Sequence, residues 1–309
     1  MASMTFDPAW AGQLAQMVET AYGQYATGLT DPNYNGAITP PPGFVQTAAF
    51  KAPEVDIGKS SKLLAALLGP AVSLTDKLLL QGLTIGFRDV WYGYALAPAA
   101  GAKNPANVLV FRGTRTIEEW IEDISVDQVD VPLLWFNHDK LKLAKASVGF
   151  LLVYAFLYDQ VLAAAQAFDT SIPLYVTGHS LGHATAVFAA LTADIEVYSL
   201  GGLTGQVQMY SFAGPRVGDP VFSEAYDSLL PASFRVVNLS DVVPVLPPAS
   251  IFGYLYAHVG QEWSYLFQTG EVADNHSLEV NYLPAVAPAT ASPVETDAPR
   301  VYPNSGIPA

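Results

Sequence analysis

The feature that most restricts the fold of this chain is a short apolar run, Leu174 to Thr177, that passes through Gly178-His179-Ser180-Leu181-Gly182 into a helical stretch ending near Thr192. A strand that turns into a helix within five residues needs small residues on both sides of the turn, because the helix must pass close to the neighbouring strands. Such a turn holds the serine hydroxyl clear of the backbone, near the positive end of the helix. The pattern G-x-S-x-G alone is common by chance and also fits an ordinary glycine-rich turn. In a strand–turn–helix setting it reads as a nucleophile elbow, with Ser180 as the candidate nucleophile.

The rest of the chain agrees with an alternating architecture. Val90 to Leu96, Val108 to Phe111, Val207 to Phe212 and Phe234 to Asn238 read as strands, while Gly149 to Phe168 and Pro220 to Leu230 read as helices. This order predicts an α/β fold with a mostly parallel central sheet flanked by helices, in a single domain spanning residues 1–309. Asp7 and Pro8 suit a helix start, and Trp10, Leu14, Met17, Val18, Ala21, Tyr22 and Tyr25 follow at helical spacing, so a first helix is expected to cover a sheet face. Thr30 to Pro42 reads as a loop, Lys62 to Gln81 as helical around Gly69-Pro70, and Pro98 to Asn107 as a turn. The tail from about 284 to 309 carries six prolines and is expected to lie extended on the surface. Phe150 to Leu157 is apolar on every helical face; it is either buried on both sides or exposes a patch.

Composition removes several function classes. The 309 residues contain no cysteine, which excludes disulfides, thiolate metal sites and cysteine nucleophiles. A net charge of −14, with no Lys or Arg between Lys145 and Arg216, argues against nucleic-acid binding. The longest apolar run, Val148 to Tyr158, is too short to span a membrane. No basic segment precedes Lys51, so no signal peptide is read; Met1-Ala2-Ser3-Met4 resembles an added start before a native Met4, and a secreted product is expected ahead of a cytoplasmic one.

A serine nucleophile needs a base, and the base an orienting carboxylate. With the chain order Ser, acid, His, only His258 and His276 of the five histidines lie far enough downstream. Asp241 follows the strand Phe234 to Asn238 and precedes a rigid Val-Val-Pro-Val-Leu-Pro-Pro turn, at the strand edge where α/β sheets gather their sites. The oxyanion formed on acyl transfer needs preorganised donors, and the N–H of Leu181 directly after the nucleophile is one. No metal or organic cofactor is required for this chemistry.

Five motifs occur in an order that resembles the class 3 lipases, the α/β-hydrolase family of the filamentous-fungus triacylglycerol lipases. They are Val110-Phe-Arg-Gly-Thr114, Val148-Gly-Phe150, Gly178-His-Ser-Leu-Gly182, Phe212-Ala-Gly-Pro-Arg-Val-Gly218 and Asp241-Val-Val-Pro-Val-Leu-Pro-Pro248, followed by Phe252-Gly-Tyr and Trp263. The resemblance implies an α/β-hydrolase fold and selects His276, before Ser-Leu and Tyr282, as the catalytic histidine, with His258 as the fallback base. It implies Thr114 as the second oxyanion donor; Arg112 and Arg216 read as structural ion-pair partners rather than catalytic groups. It also implies a short helical lid at about 115–125, where Ile117, Trp120, Ile121 and Ile124 form one apolar stripe; the alternative is a surface helix burying that stripe on the core. The chain departs from the family at His183, where a second glycine is usual; this histidine either narrows the leaving-group side or has no role in the chemistry.

The function so implied is a serine carboxylic-ester hydrolase for apolar acyl esters, a triacylglycerol lipase working through an acyl-enzyme at an oil–water interface. The alternatives are a short-chain, aryl (feruloyl) or polyester esterase, a phospholipase A1 and, distantly, a non-catalytic lipid-binding module. Loops Val131 to His138 and Pro247 to Tyr256 hold apolar residues that either line an acyl channel or belong to the core.

Overall fold

Asp7 opens the first helix, α1 (Pro8–Thr30), by accepting the N–H groups of Ala9 and Trp10 at 2.8 and 3.3 Å, with Pro8 pre-set for the first turn. The structure is a computed structural model that describes residues 5–54, 88–114, 126–132, 135–203 and 205–286. The helical stretch expected at Lys62 to Gln81, the amphipathic stretch with Ile117, Trp120, Ile121 and Ile124, and the tail beyond Val286 lie outside the described residues.

Among the described residues eleven strands follow: β1 (Phe44–Pro53), β2 (Asp89–Pro98), β3 (Asn107–Phe111), β4 (Gln128–Asp130), β5 (Lys145–Ser147), β6 (Leu174–His179), β7 (Val207–Phe212), β8 (Ser233–Asn238), β9 (Ser250–Ile251), β10 (Tyr254–Leu255) and β11 (Gln261–Tyr265). Seven of them form the central sheet in the order β1-β2-β3-β6-β7-β8-β11. The pairings from β3 through β11 are parallel, and β1-β2 and β2-β3 are antiparallel. Alternating side chains divide the core in two. Leu109 and Phe111 of β3 face one layer with Val176 and Met209, while Val108 and Val110 face the other with Tyr210, Phe212 and Val236.

The first layer is covered by α2 (Val148–Gln166), α3 (Leu181–Ala193) and α4 (Pro220–Leu229), and the second by α1, the turn Leu278–Tyr282 and α6 (Leu283–Val286), with α5 (Val272–His276) directly before that turn. By length and composition α2 could cross a membrane, but it is a core helix: buried side chains run from Val148 to Ala165. Phe150 to Val153, Tyr154 and Leu157 are all buried, so the apolar run is enclosed rather than exposed as a patch.

Phe188 of α3 shows how tightly this layer is filled. It is fully buried, with its ring 5.5 Å from Tyr154, 5.9 Å from Phe136 and 5.9 Å from Phe222. Phe188→Ala is expected to cost about 3–5 kcal/mol, read as a drop in the urea midpoint, because three rings cannot close over the lost volume.

Strands β1 and β11 are not legible in the sequence. Both are edge strands, paired on one side only. A register shift between Gln46 and Ala48 breaks the alternation of β1, and β11 is polar over Gln261 and Glu262, so neither carries a clean period of two.

Candidate active site

The carboxyl ends of the parallel strands meet at one edge, and the candidate residues lie just beyond them. Ser180 follows β6 with φ 57° and ψ −126°, a conformation that L side chains adopt only under constraint. Its N–H is tied to the Phe212 carbonyl at 3.0 Å, and a side chain at Gly178 would sit 2.1 Å from the Gly182 carbonyl oxygen. The elbow therefore needs its glycines for close backbone approach. Leu181 supplies the first amide of α3, among the N–H groups that a helix start leaves without an intrahelical partner.

Asp241 follows β8, and its backbone N–H donates to the Asn238 carbonyl at 3.0 Å. Its carboxylate accepts three hydrogen bonds: Oδ1 from the Val243 N–H at 2.9 Å, and Oδ2 from the Tyr282 hydroxyl at 2.6 Å and His276 Nδ1 at 2.8 Å. Burial and the charge on Asp241 push the Tyr282 phenol well above its ordinary pKa, so it stays a donor. Asn238 ties these loops together, donating through Nδ2 to the Asn275 carbonyl at 3.1 Å and accepting the Ser240 and Phe267 amides at 3.2 and 3.0 Å. Neither its role nor that of Tyr282 as a carboxylate partner is readable from motif spacing.

His276 closes α5, and its Nε2 is buried without a hydrogen bond, as are Ser180 Oγ and Thr114 Oγ1. A buried polar atom left unpaired costs free energy, so three such atoms at one strand edge mark a place built for a ligand. Thr114 and His276 line a cavity of about 510 Å³ shared with Tyr22, His179 and Glu19.

The other candidates lie elsewhere. His258 has its Nε2 2.8 Å from the Pro244 carbonyl oxygen, while the histidine on the Asp241 carboxylate is His276. Arg112 donates to the carbonyls of Trp91 and Gly113 and lies over the rings of Tyr25 and Tyr92. Arg216 donates to those of Val245 and Pro247. The partners of both arginines among the described residues are thus main-chain oxygens and aromatic faces, not the carboxylates expected. Trp135 and Phe136 are core, stacked near Tyr158 and Tyr154, whereas Phe252 stands exposed at the tip of the β9-β10 hairpin. His183 is fully buried against Gly214, where a side chain would fall 2.3 Å from its Cγ, so the bulk of an imidazole is accommodated by a glycine.

Three buried histidines set a pH dependence. Burial, reinforced by the Arg235 charge, pushes His183 down to about 3; burial with Arg235 and Arg216 nearby pushes His258 down to about 2; burial and His276 hold His179 well below its ordinary value. Each stays neutral in the fold but protonates near 6.5 in the unfolded chain, so its contribution is complete above that pH and is lost progressively as pH falls below it. Each histidine costs about 1.4 kcal/mol per pH unit in that window. Asp194, raised by burial to about 6, opposes one of them between its folded and unfolded values. The net expectation is a urea midpoint that falls steeply from pH 6.5 to pH 4.5; an unchanged midpoint would refute the neutral assignments.

Residues 108–251 match the family model described as Lipase (class 3). A lipase of Rhizomucor miehei is 35% identical over 168 residues, covering 53% of this chain and 43% of the relative. Phospholipase A1-II 3 of Oryza sativa subsp. japonica is 29% identical over 224 residues, covering 64% of this chain and 53% of the relative. The chain thus spans about half or less of the length of these curated relatives. Among solved structures, the nonglycosylated LIP2 lipase of Yarrowia lipolytica shares the fold, with a TM-score of 0.53 at 17% identity over 82% of this chain and 78% of that one. The α/β-hydrolase architecture holds, and over residues 108–251 the chain is similar to the class 3 lipases.

Proposed function

We propose that the chain hydrolyses carboxylic esters of apolar acyl groups, as a triacylglycerol lipase using Ser180, His276 and Asp241. The observation that carries this reading is the orientation of His276: Nδ1 is held by the Asp241 carboxylate, leaving buried Nε2 unpaired as the base. Ser180 Oγ attacks the ester carbonyl and gives its proton to His276 Nε2; Asp241 fixes the tautomer and stabilises the imidazolium. The Leu181 N–H and Thr114 stabilise the oxyanion, and His276 returns the proton to the departing alcohol. Water activated by the same nitrogen then attacks the acyl-enzyme, and the acid leaves as Ser180 is regenerated.

Apolar side chains flank the loops that bear these residues. Leu239, Val245, Leu266 and Val272 are 57%, 54%, 49% and 52% exposed, a cost in water that contact with a lipid surface removes. Phospholipase A1 action is the second reading, favoured because the match to the rice phospholipase covers more of this chain than the match to the Rhizomucor lipase.

The test is hydrolysis of p-nitrophenyl esters from acetate to palmitate, then of emulsified triolein and phosphatidylcholine vesicles, alongside labelling with a fluorophosphonate. Rates rising with acyl length and triolein preferred over phosphatidylcholine are expected. Vesicles preferred would select the phospholipase; activity confined to acetate and butyrate would select an esterase. A folded chain that neither labels nor hydrolyses any ester would overturn the catalytic reading.

A further inference from the structure

His179 immediately precedes Ser180 and is enclosed by groups that leave its ring no choice of tautomer. Its Nε2 lies 2.8 Å from the carbonyl oxygen of His276, and its Nδ1 lies 2.8 Å from the Tyr22 hydroxyl. A carbonyl only accepts, so Nε2 carries the ring proton and Nδ1 is an acceptor. The Tyr22 hydroxyl in turn accepts the Gly113 N–H at 3.0 Å, so its own proton goes to His179 Nδ1. The result is a directional chain: Gly113 N–H to Tyr22, Tyr22 O–H to His179, and His179 N–H to the backbone of His276.

Each tied residue adjoins or is a proposed reacting group. Gly113 precedes Thr114, His179 precedes Ser180, and the acceptor belongs to His276 itself. There is no slack in the arrangement, since a side chain at Gly113 would lie 2.6 Å from Tyr22 Oη, 2.7 Å from the His179 carbonyl oxygen and 2.8 Å from Ser180 Cβ. The His179 and His276 rings are 4.6 Å apart. Three segments far apart in sequence (the loop after β3, the elbow and the C-terminal α5) are thereby registered through one tyrosine supplied by α1.

We propose that Tyr22 and His179 are positioning residues for the ester hydrolysis, locking the Thr114 loop and the His276 segment at a fixed spacing across Ser180. The proposal rests on the triad reading above. Neither residue touches the reacting atoms; a displacement of either loop lengthens the proton transfer or the oxyanion contact, and small misplacements carry large rate costs.

The test uses the full chain with Tyr22→Phe, His179→Gln and His179→Leu, each normalised by active-site titration with a fluorophosphonate so that misfolded protein is not counted. Tyr22→Phe is expected to lower kcat on p-nitrophenyl butyrate about ten-fold per titrated site, the worth of one hydrogen bond, with KM within about two-fold. His179→Leu should lose about a hundred-fold or more. His179→Gln, whose amide can still donate to the His276 carbonyl, should recover most of that loss. Full kcat in Tyr22→Phe, or equal impairment of the Gln and Leu variants, overturns the positioning role while Ser180 still labels. Failure of the wild-type chain to label overturns the triad reading, and with it this one; the two failures are therefore distinct.

Discussion

Ser180→Ala is expected to be nearly inert and yet more stable than the wild type. Removing the nucleophile of a serine hydrolase lowers kcat by roughly 10⁶-fold, the residue of activity coming from the oxyanion donors and substrate binding. The stability gain follows from the structure: Ser180 Oγ is buried and makes no hydrogen bond. Alanine removes that unpaired polar atom, keeps the same strained backbone at φ 57°, and leaves no cavity larger than a hydroxyl. A gain of about 1 kcal/mol is expected by urea denaturation, together with complete loss of fluorophosphonate labelling. A variant that loses activity and also loses stability would place the hydroxyl in a structural hydrogen bond instead. A variant that keeps its activity would sink the nucleophile assignment.

The elbow was legible because a single local constraint dictates it: strand, tight turn and helix leave no room beside Gly178, and the residue pattern records that directly. The parallel strands were legible for a related reason, since β3, β6, β7 and β8 are covered on both faces and read as continuous apolar runs. The edge strands β1 and β11 were not, because one side of each is unpaired and their burial follows no simple period. Within the site, Asp241 could be nominated from its place after a strand, and chain order left His258 and His276 as the candidate bases until the family resemblance chose His276, but the partners of these residues could not be named. Tyr282, Asn238 and Tyr22 act through contacts 41, 37 and 157 residues away in sequence, to Asp241, Asn275 and His179. Tyr22 and Tyr25 at helical spacing on α1 read as part of a helix covering the sheet, and Tyr25 is core; only the fold reveals that the Tyr22 hydroxyl reaches His179 of the elbow. Arg112 and Arg216 differ from the reading in the opposite direction: a guanidinium near loops suggests a carboxylate partner, whereas among the described residues both donate to main-chain carbonyls.

Asp241→Asn is the sharper probe of the triad because it changes no volume. Every group that touches this carboxylate is a donor: the Val243 N–H on Oδ1, and the Tyr282 hydroxyl and His276 Nδ1 on Oδ2. Asparagine has one accepting oxygen and one NH₂, so one side must now set donor against donor. If the amide oxygen stays with His276 and Tyr282, the NH₂ opposes the Val243 N–H and the turn after Asp241 is strained. If it flips, the NH₂ faces Nδ1, which must then give up its proton; the ring proton moves to Nε2, the nitrogen proposed to accept the Ser180 proton. Either way the negative charge that stabilises the imidazolium is gone. The expected outcome is a kcat lower by about 10⁴-fold with KM little changed, and stability lower by about 1–3 kcal/mol from the mismatched donors. Tyr282→Phe removes only one of the three donors and keeps the charge, so its kcat should fall by no more than about ten-fold. Equal losses in the two variants would mean that the site depends on hydrogen-bond geometry around Asp241 rather than on its charge. A Tyr282→Phe loss confined to ten-fold beside a 10⁴-fold loss in Asp241→Asn would assign the carboxylate its electrostatic and tautomer-setting role, with Tyr282 holding it in place.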